Sequence, residues 1–212
     1  MKLLAVDTAL GACSVAILDG DEVRAHIFEP MERGHAERLA PMVDDAMRRA
    51  ELAYAQLDRL VVTTGPGTFT GQRVGLAFMR GLRVALDRPL LGVTTLAAMA
   101  AQAISETELA KAAALHDARR GEVYLQSNAM DEPVLLPFAD ALDTLTNMKD
   151  RLALAGTAAP AAAPHLGSAI LSTVRQPDAL WVARLARTMP PPAVAPRPLY
   201  LRAPDAKLPR PA

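Results

Sequence analysis

Hydrophobic positions change period several times along the chain, and each change marks an element. Residues 2–6 and 14–18 are short apolar runs that predict strands buried on both faces. Over 22–28, Val23, Ala25 and Ile27 alternate with Glu22, Arg24, His26 and Phe28, the period of a half-buried strand. Short turns join these three into an antiparallel meander. Over 35–50 the period becomes helical: Leu39, Val43, Ala46 with Met47, and Ala50 share a face, with Met42 beside it. Pro41 falls either in the first turn of this helix or at a kink. A strand over 59–64, a helix over 71–87 and a strand over 89–93 follow. Thr94 or Thr95 then caps a helix over 96–104.

A meander followed by crossover helices predicts a mixed sheet with helices on its faces, as in ribonuclease-H-like domains. After Glu106-Thr107-Glu108 the pattern restarts. Strands are predicted over 112–116, 122–126 and 133–136, a helix over 138–148 and a strand over 151–155. The Ala/Pro-rich stretch 157–168 reads as a loop or a poor helix, 179–189 as a helix, and the Pro-rich tail from Pro190 as extended chain on the surface. Both halves share a βββαβ beginning, and Asp7 and Asp117 close their first strands. The expected fold is therefore α/β, an internal duplication with lobes 1–105 and 106–212 and a cleft between them.

Residues 61–86 are the most informative stretch. A β-branched run leads into Gly65-Pro66-Gly67-Thr68-Phe69-Thr70-Gly71 and then into a helix, with Thr70 the expected N-cap. Such a turn is either a tight link to a closely packed helix or an anion site. It lacks the Gly-Lys-Ser/Thr of a P-loop, and its glycines miss the dinucleotide spacing by one residue. Val74, Phe78, Leu82 and Ala85 form one apolar stripe of the helix, and Leu76, Met79 and Leu86 form a second, while Gly71, Gly75 and Ala77 keep part of its surface small. One stripe covers the sheet; the other needs a second partner, inside the fold or in another protein.

Composition narrows the function. Lysine plus arginine equals aspartate plus glutamate at 23 each in 212 residues, which argues against a strongly basic nucleic-acid footprint. A single cysteine, Cys13, forbids an internal disulfide and suits a reducing cytoplasm. No signal-like segment or apolar run of membrane-spanning length is present. Histidines 26, 35, 116 and 165 lie far apart in sequence, without metal-ligand spacing, so no metal site is expected. Cys13 reads as a small core residue, and Ser14 has no nucleophile-elbow context. No catalytic set can be assembled. Asp7 is either a carboxylate facing the cleft or a turn cap bonding Ala9 or Leu10 N–H. The charged run Asp117–Glu122 is either a hairpin tip or an anion or partner contact.

Several segments together carry a resemblance. Leu3-Leu4-Ala5-Val6-Asp7-Thr8, His35-Ala36-Glu37-Arg38-Leu39, Gly65–Gly71 with Gln72-Arg73-Val74-Gly75-Leu76, Gly92-Val93-Thr94-Thr95-Leu96, Asp117–Tyr124 and Leu199-Tyr200-Leu201-Arg202 stand in the order found in the TsaB family. These are accessory subunits for making threonylcarbamoyladenosine in bacterial tRNA. The resemblance implies an actin/Hsp70-like ATPase fold of two ribonuclease-H-like lobes. It implies binding and activation of a catalytic relative, TsaD, with TsaE in the same complex and tRNA reached through it. The catalytic relative's two metal-binding histidines correspond here to Thr95 and Met99. The superfamily's Asp-x-Gly nucleotide turns carry Ala9 and Arg119 at their third positions, so the ATPase machinery looks degraded.

The resulting expectation is a non-catalytic partner subunit. Its interface would be Leu39, Met42, Val43, Ala46, Gly71, Val74, Gly75, Phe78, Met79 and Leu82, and the same surface would form a homodimer when TsaD is absent. Asp7, Gly65, Gly67, Thr68, Asp117 and Arg119 are the candidates for a nucleotide or cleft contact, with no cofactor on the isolated chain and ATP at the assembled complex. The rival expectations are a small-molecule kinase of the same fold and a metallopeptidase-like protein.

Overall fold

The computed structural model describes residues 1–148 and 151–202; the last ten residues of the tail lie outside the described residues. The meander forms as expected, with β1 (Lys2–Asp7), β2 (Ala12–Asp19) and β3 (Glu22–Pro30) joined by antiparallel ladders. Helix α1 (His35–Arg49) crosses to β4 (Arg59–Gly65), parallel to β1, and α2 (Phe69–Leu86) crosses to β5 (Leu90–Thr94), parallel to β4. After α3 (Thr95–Thr107) the series repeats as β6 (Ala112–Arg119), β7 (Glu122–Ser127), β8 (Val134–Pro137), α4 (Phe138–Thr146), β9 (Ala153–Ala155), α5 (Ala159–Ala162), β10 (Ile170–Leu171) and α6 (Ala179–Ala186). The sheets run β3-β2-β1-β4-β5 and β10-β9-β6-β7-β8. Counted from the first strand of each half, both have the order 3-2-1-4-5. The α/β fold of two ribonuclease-H-like lobes is present in the topology itself.

The strands β1 and β2 lie inside the first sheet, and their alternate side chains serve opposite faces. Leu4, Val6, Val15 and Ile17 pack under α1 and α2, while Leu3, Ala5, Ala16 and Leu18 face the other way. That second face is covered by α6, through Ala179, Val182, Ala183 and Ala186. Reciprocally, α3 lays Leu96, Met99, Ala100 and Ala103 on Ala112, Ala114, Ala153 and Ala155 of the second sheet. Both exchanged helices are rich in alanine, which lets them approach a sheet closely. The strands before residue 106 and those after it form separate sheets, and each of these two helices packs across onto the other half's sheet. Among the described residues, no helix is long and apolar enough to cross a membrane.

Local details depart from expectation where single side chains decide. Helix α2 begins two residues earlier than its apolar period, and its N-cap is Thr68 rather than Thr70: Thr68 Oγ1 accepts from Gly71 N at 3.0 Å. Pro41 lies inside α1 on its exposed side. The Ala/Pro-rich stretch gives only four helical residues and a short 3₁₀ turn, and β10, two residues long, has no detectable period.

Arg59 holds the end of α6. Though only 8 % exposed, its Nη1 donates to Met189 O at 2.7 Å and to Ala186 O at 2.6 Å, a carbonyl at the helix end that otherwise accepts only a long bond from Met189 N at 3.3 Å. Arg59→Met keeps the bulk and removes the donors. It should lower stability by about 1–3 kcal/mol in urea denaturation and speed protease cleavage near residue 189. An unchanged denaturation midpoint would mean that this anchor is dispensable.

Candidate functional site

Two glycines explain how α2 meets the turn after β1. The Thr8 hydroxyl donates to Gly71 O at 2.7 Å and accepts from Gly75 N at 3.0 Å, bridging two groups one helical turn apart. A Cβ on Gly71 would stand 2.3 Å from Thr8 O, and one on Gly75 2.8 Å from Thr8 Oγ1. Both positions are small because they touch the chain's own backbone and hydroxyl. This corrects the expectation that they let a partner approach.

The remaining interface candidates divide. Leu39, Met42, Val43, Ala46 and Met79 are fully buried in the first lobe's core, so the apolar face of α1 belongs to its own sheet. Val74, Phe78 and Leu82 are half-buried and pack along the edge of that core. The outward surface of α2 includes instead Phe69, Arg73, Ala77, Arg80, Gly81 and Val84, beside the exposed Thr70, Arg83 and Ala85, with Phe69 60 % and Val84 80 % exposed. A Cβ on Gly81 would meet nothing within 4 Å.

The nucleotide candidates lie in two different turns. Asp7 is fully buried; its Oδ1 accepts from Thr63 Oγ1 at 2.6 Å and from Ala9 N at 3.3 Å, while Oδ2 has no hydrogen-bond partner among the described residues. Burial outweighs the Thr63 hydrogen bond and pushes its pKa up to about 7. The loop carrying Gly65, Gly67 and Thr68 closes over this turn. Thr68 N donates to Ala9 O at 2.8 Å, a Cβ on Gly67 would come within 2.4 Å of the same oxygen, and the Gln72 amide fills the space beside Gly65. A sealed, partly protonated carboxyl does not fit a metal-bound nucleotide phosphate. Asp117 and Arg119 sit on the second sheet, where Asp117 Oδ1 accepts from Arg119 N at 2.8 Å and Arg119 takes a left-handed φ of 64°. That is the geometry of a hairpin tip.

Thr95 and Met99, where the resemblance placed the catalytic relative's metal histidines, are packing residues. Thr95 is buried with its hydroxyl donating to Pro66 O at 2.7 Å, and Met99 is fully buried. Sequence patterns missed one cluster altogether. Arg73 lies over the Phe69 ring, 3.3 Å from its centre, and its Nε donates to the Tyr200 hydroxyl at 2.9 Å. Its only signal in the sequence is the scarcity of aromatics, 4 % of the chain, with one in the glycine loop and one in the tail.

Residues 24–161 match the family described as TsaD: tRNA N6-adenosine threonylcarbamoyltransferase. The Escherichia coli tRNA threonylcarbamoyladenosine biosynthesis protein TsaB is 39 % identical over 132 residues, which are 62 % of this chain and 57 % of that protein. The Bacillus subtilis protein of the same name is 32 % identical over 161 residues, 71 % of this chain and 68 % of its own length. The chain belongs to the TsaB family. A Pseudomonas aeruginosa crystal structure, of an uncharacterized protein with similarity to peptidase YEAZ, superposes with a TM-score of 0.76 at 30 % identity, covering 95 % of this chain and 99 % of that one. Component A of the Acidaminococcus fermentans (R)-2-hydroxyglutaryl-CoA dehydratase, 12 % identical at a TM-score of 0.50 over 88 % and 98 % of the two chains, shares the fold alone. The match spans less than two thirds of the E. coli TsaB protein's length. The α/β fold of two five-stranded mixed sheets is the one that the resemblance implied.

Proposed function

We propose that this chain is a non-catalytic cytoplasmic subunit that binds and activates a TsaD protein, which installs threonylcarbamoyl on N6 of the adenosine beside the anticodon. The observation that carries the proposal is the outward face of α2, where Phe69, Ala77, Gly81 and Val84 lie open along successive turns. Large exposed apolar side chains on one helix face favour a protein partner. The TsaD-family match over 24–161 spans both α1 and α2. A TsaD protein would therefore present a related helix pair, and helix pair against helix pair is the natural contact. A second copy of this chain would use the same surface when TsaD is absent, so the two assemblies compete.

The closed turn at Asp7 supports a division of labour. The isolated chain holds no nucleotide there, ATP acts at the assembled complex, and TsaE and tRNA are reached through that complex. A kinase or metallopeptidase would need an open phosphate turn or a ligand cluster in place of the sealed Asp7 and the buried Thr95 and Met99.

Ala77→Arg places a charge in the middle of the open α2 face without touching the core. On a sizing column with TsaD it should abolish co-elution and self-association while leaving the thermal melt unchanged. A variant that still co-elutes would move the interface off α2.

A further inference from the structure

The tail after α6 is held at successive points. Arg80 Nη2 donates to Pro196 O at 2.6 Å, and the Pro196 ring lies over Gly92, where a Cβ would come within 2.7 Å of it. Leu199 N donates to Thr64 O at 2.8 Å. Arg202 Nη1 donates to Ala118 O at 2.8 Å, and its other amino group pairs with Glu122. Residues 196–202 thus form a strap from α2 and β4 of the first lobe to the β6–β7 hairpin of the second.

Tyr200 sits on this strap against the start of α2. Its ring stacks on Phe69, centroids 6.1 Å apart and planes 25° from parallel, and its hydroxyl fixes Arg73. Two side chains of α2 and one from the tail, 127 residues beyond Arg73, are therefore held in one arrangement, yet Phe69 is 60 % and Tyr200 48 % exposed. Ordering that precedes binding removes an entropic cost of association. Aromatic residues and arginine are also the types that dominate binding energy at protein interfaces. The cluster continues the open line of α2, a helix that carries arginines 73, 80 and 83 and no carboxylate. The complementary surface is an apolar helix rimmed with carboxylates.

We propose that Phe69, Arg73 and Tyr200 are the anchor of the α2 docking surface, and that the strap is a permanent part of it, so that the TsaD partner grips α2 and the C-terminal segment together. This rests on α2 being the docking helix. Single variants Tyr200→Ala and Phe69→Ala should each weaken TsaD binding at least about tenfold by titration calorimetry, with an unchanged monomer melt. Combined, they should cost less than the product of the single effects, because each ring supports the other.

Ala77→Arg separates the two claims. If it abolishes binding while Tyr200→Ala and Phe69→Ala bind as wild type, the anchor is refuted and the helix stands; if none of the three matters, both fall. Tighter binding by Tyr200→Ala would show that the strap competes with the partner, and overturns the proposal. So would unchanged TsaD affinity with weakened tRNA binding by the complex, which would make the stack an RNA contact. Should Tyr200→Ala melt early, Phe69→Ala, which lies outside the strap, carries the same expectation.

Discussion

Gly75→Leu is expected to destabilise the isolated chain by about 3 kcal/mol or more, a large part of a typical domain's stability. A Cβ alone would stand 2.8 Å from Thr8 Oγ1 and 3.3 Å from a Val62 methyl. The longer side chain must push α2 off the turn after β1, which breaks the bridge from Gly71 O through the Thr8 hydroxyl to Gly75 N. The buried Thr8 hydroxyl then loses both of its partners with no water to turn to. Gly81→Ala on the same helix is the contrast. No atom lies near its added methyl, so it should gain up to about 1 kcal/mol from helix propensity. Urea denaturation of both variants decides the matter. A Gly75→Leu protein with a wild-type midpoint that no longer pairs would place this glycine on the outer surface, against the packing described.

The second large effect is a pH dependence carried by Asp7. Its folded pKa of about 7 stands above the ordinary carboxylate value of 3.8, so the folded state binds the proton more tightly. Stability from this group is complete below about pH 4 and is lost as pH rises through 7. Three pK units correspond to about 4 kcal/mol. Asp7→Asn cannot ionise, but it adds buried N–H donors where Oδ2 has no partner. At pH 5 the variant should be about 1–2 kcal/mol less stable than wild type, and at pH 8 the order should reverse. His116 acts in the opposite sense at the acid end. Burial lowers its pKa to about 4, and its contribution is lost as pH falls below its unfolded value. Comparing the two proteins at each pH cancels that background. Parallel denaturation profiles from pH 5 to 8 would show that Asp7 is ionised throughout.

The duplication and the order of elements along the chain were legible because they rest on period; the order of strands across each sheet and the two-residue β10 were not. A two-residue alternation, short turns and helical crossovers specify a meander and two parallel additions, and their recurrence after residue 106 specifies the second sheet. What a stripe packs against was not legible. Leu39, Met42, Val43 and Ala46 look the same in sequence whether their cover is a sheet or another molecule. Glycine spacing at Gly71 and Gly75 announces a close approach without naming the approaching atom, here Thr8. Burial of Asp7 depends on a loop some sixty residues away folding over it. The strap is readable as extended chain from its prolines, but its anchors are single hydrogen bonds, and single bonds leave no pattern. The cluster at Phe69 joins residues that no local window contains.

The reciprocal placement of α3 and α6 bears on the order in which the protein can be completed during synthesis. The first sheet has all its strands once Thr94 has emerged, yet the face bearing Leu3, Ala5, Leu91 and Val93 waits for α6, which starts at Ala179, 179 − 94 = 85 residues later. At translation rates of about 5–20 residues per second, that face, touched meanwhile only by the Ala97–Ala98 end of α3, lacks its α6 cover for on the order of ten seconds. A nascent chain in that interval carries a finished but incompletely covered apolar sheet, a natural client for a chaperone at the ribosome. The last helix to be made is the one that ends the exposure.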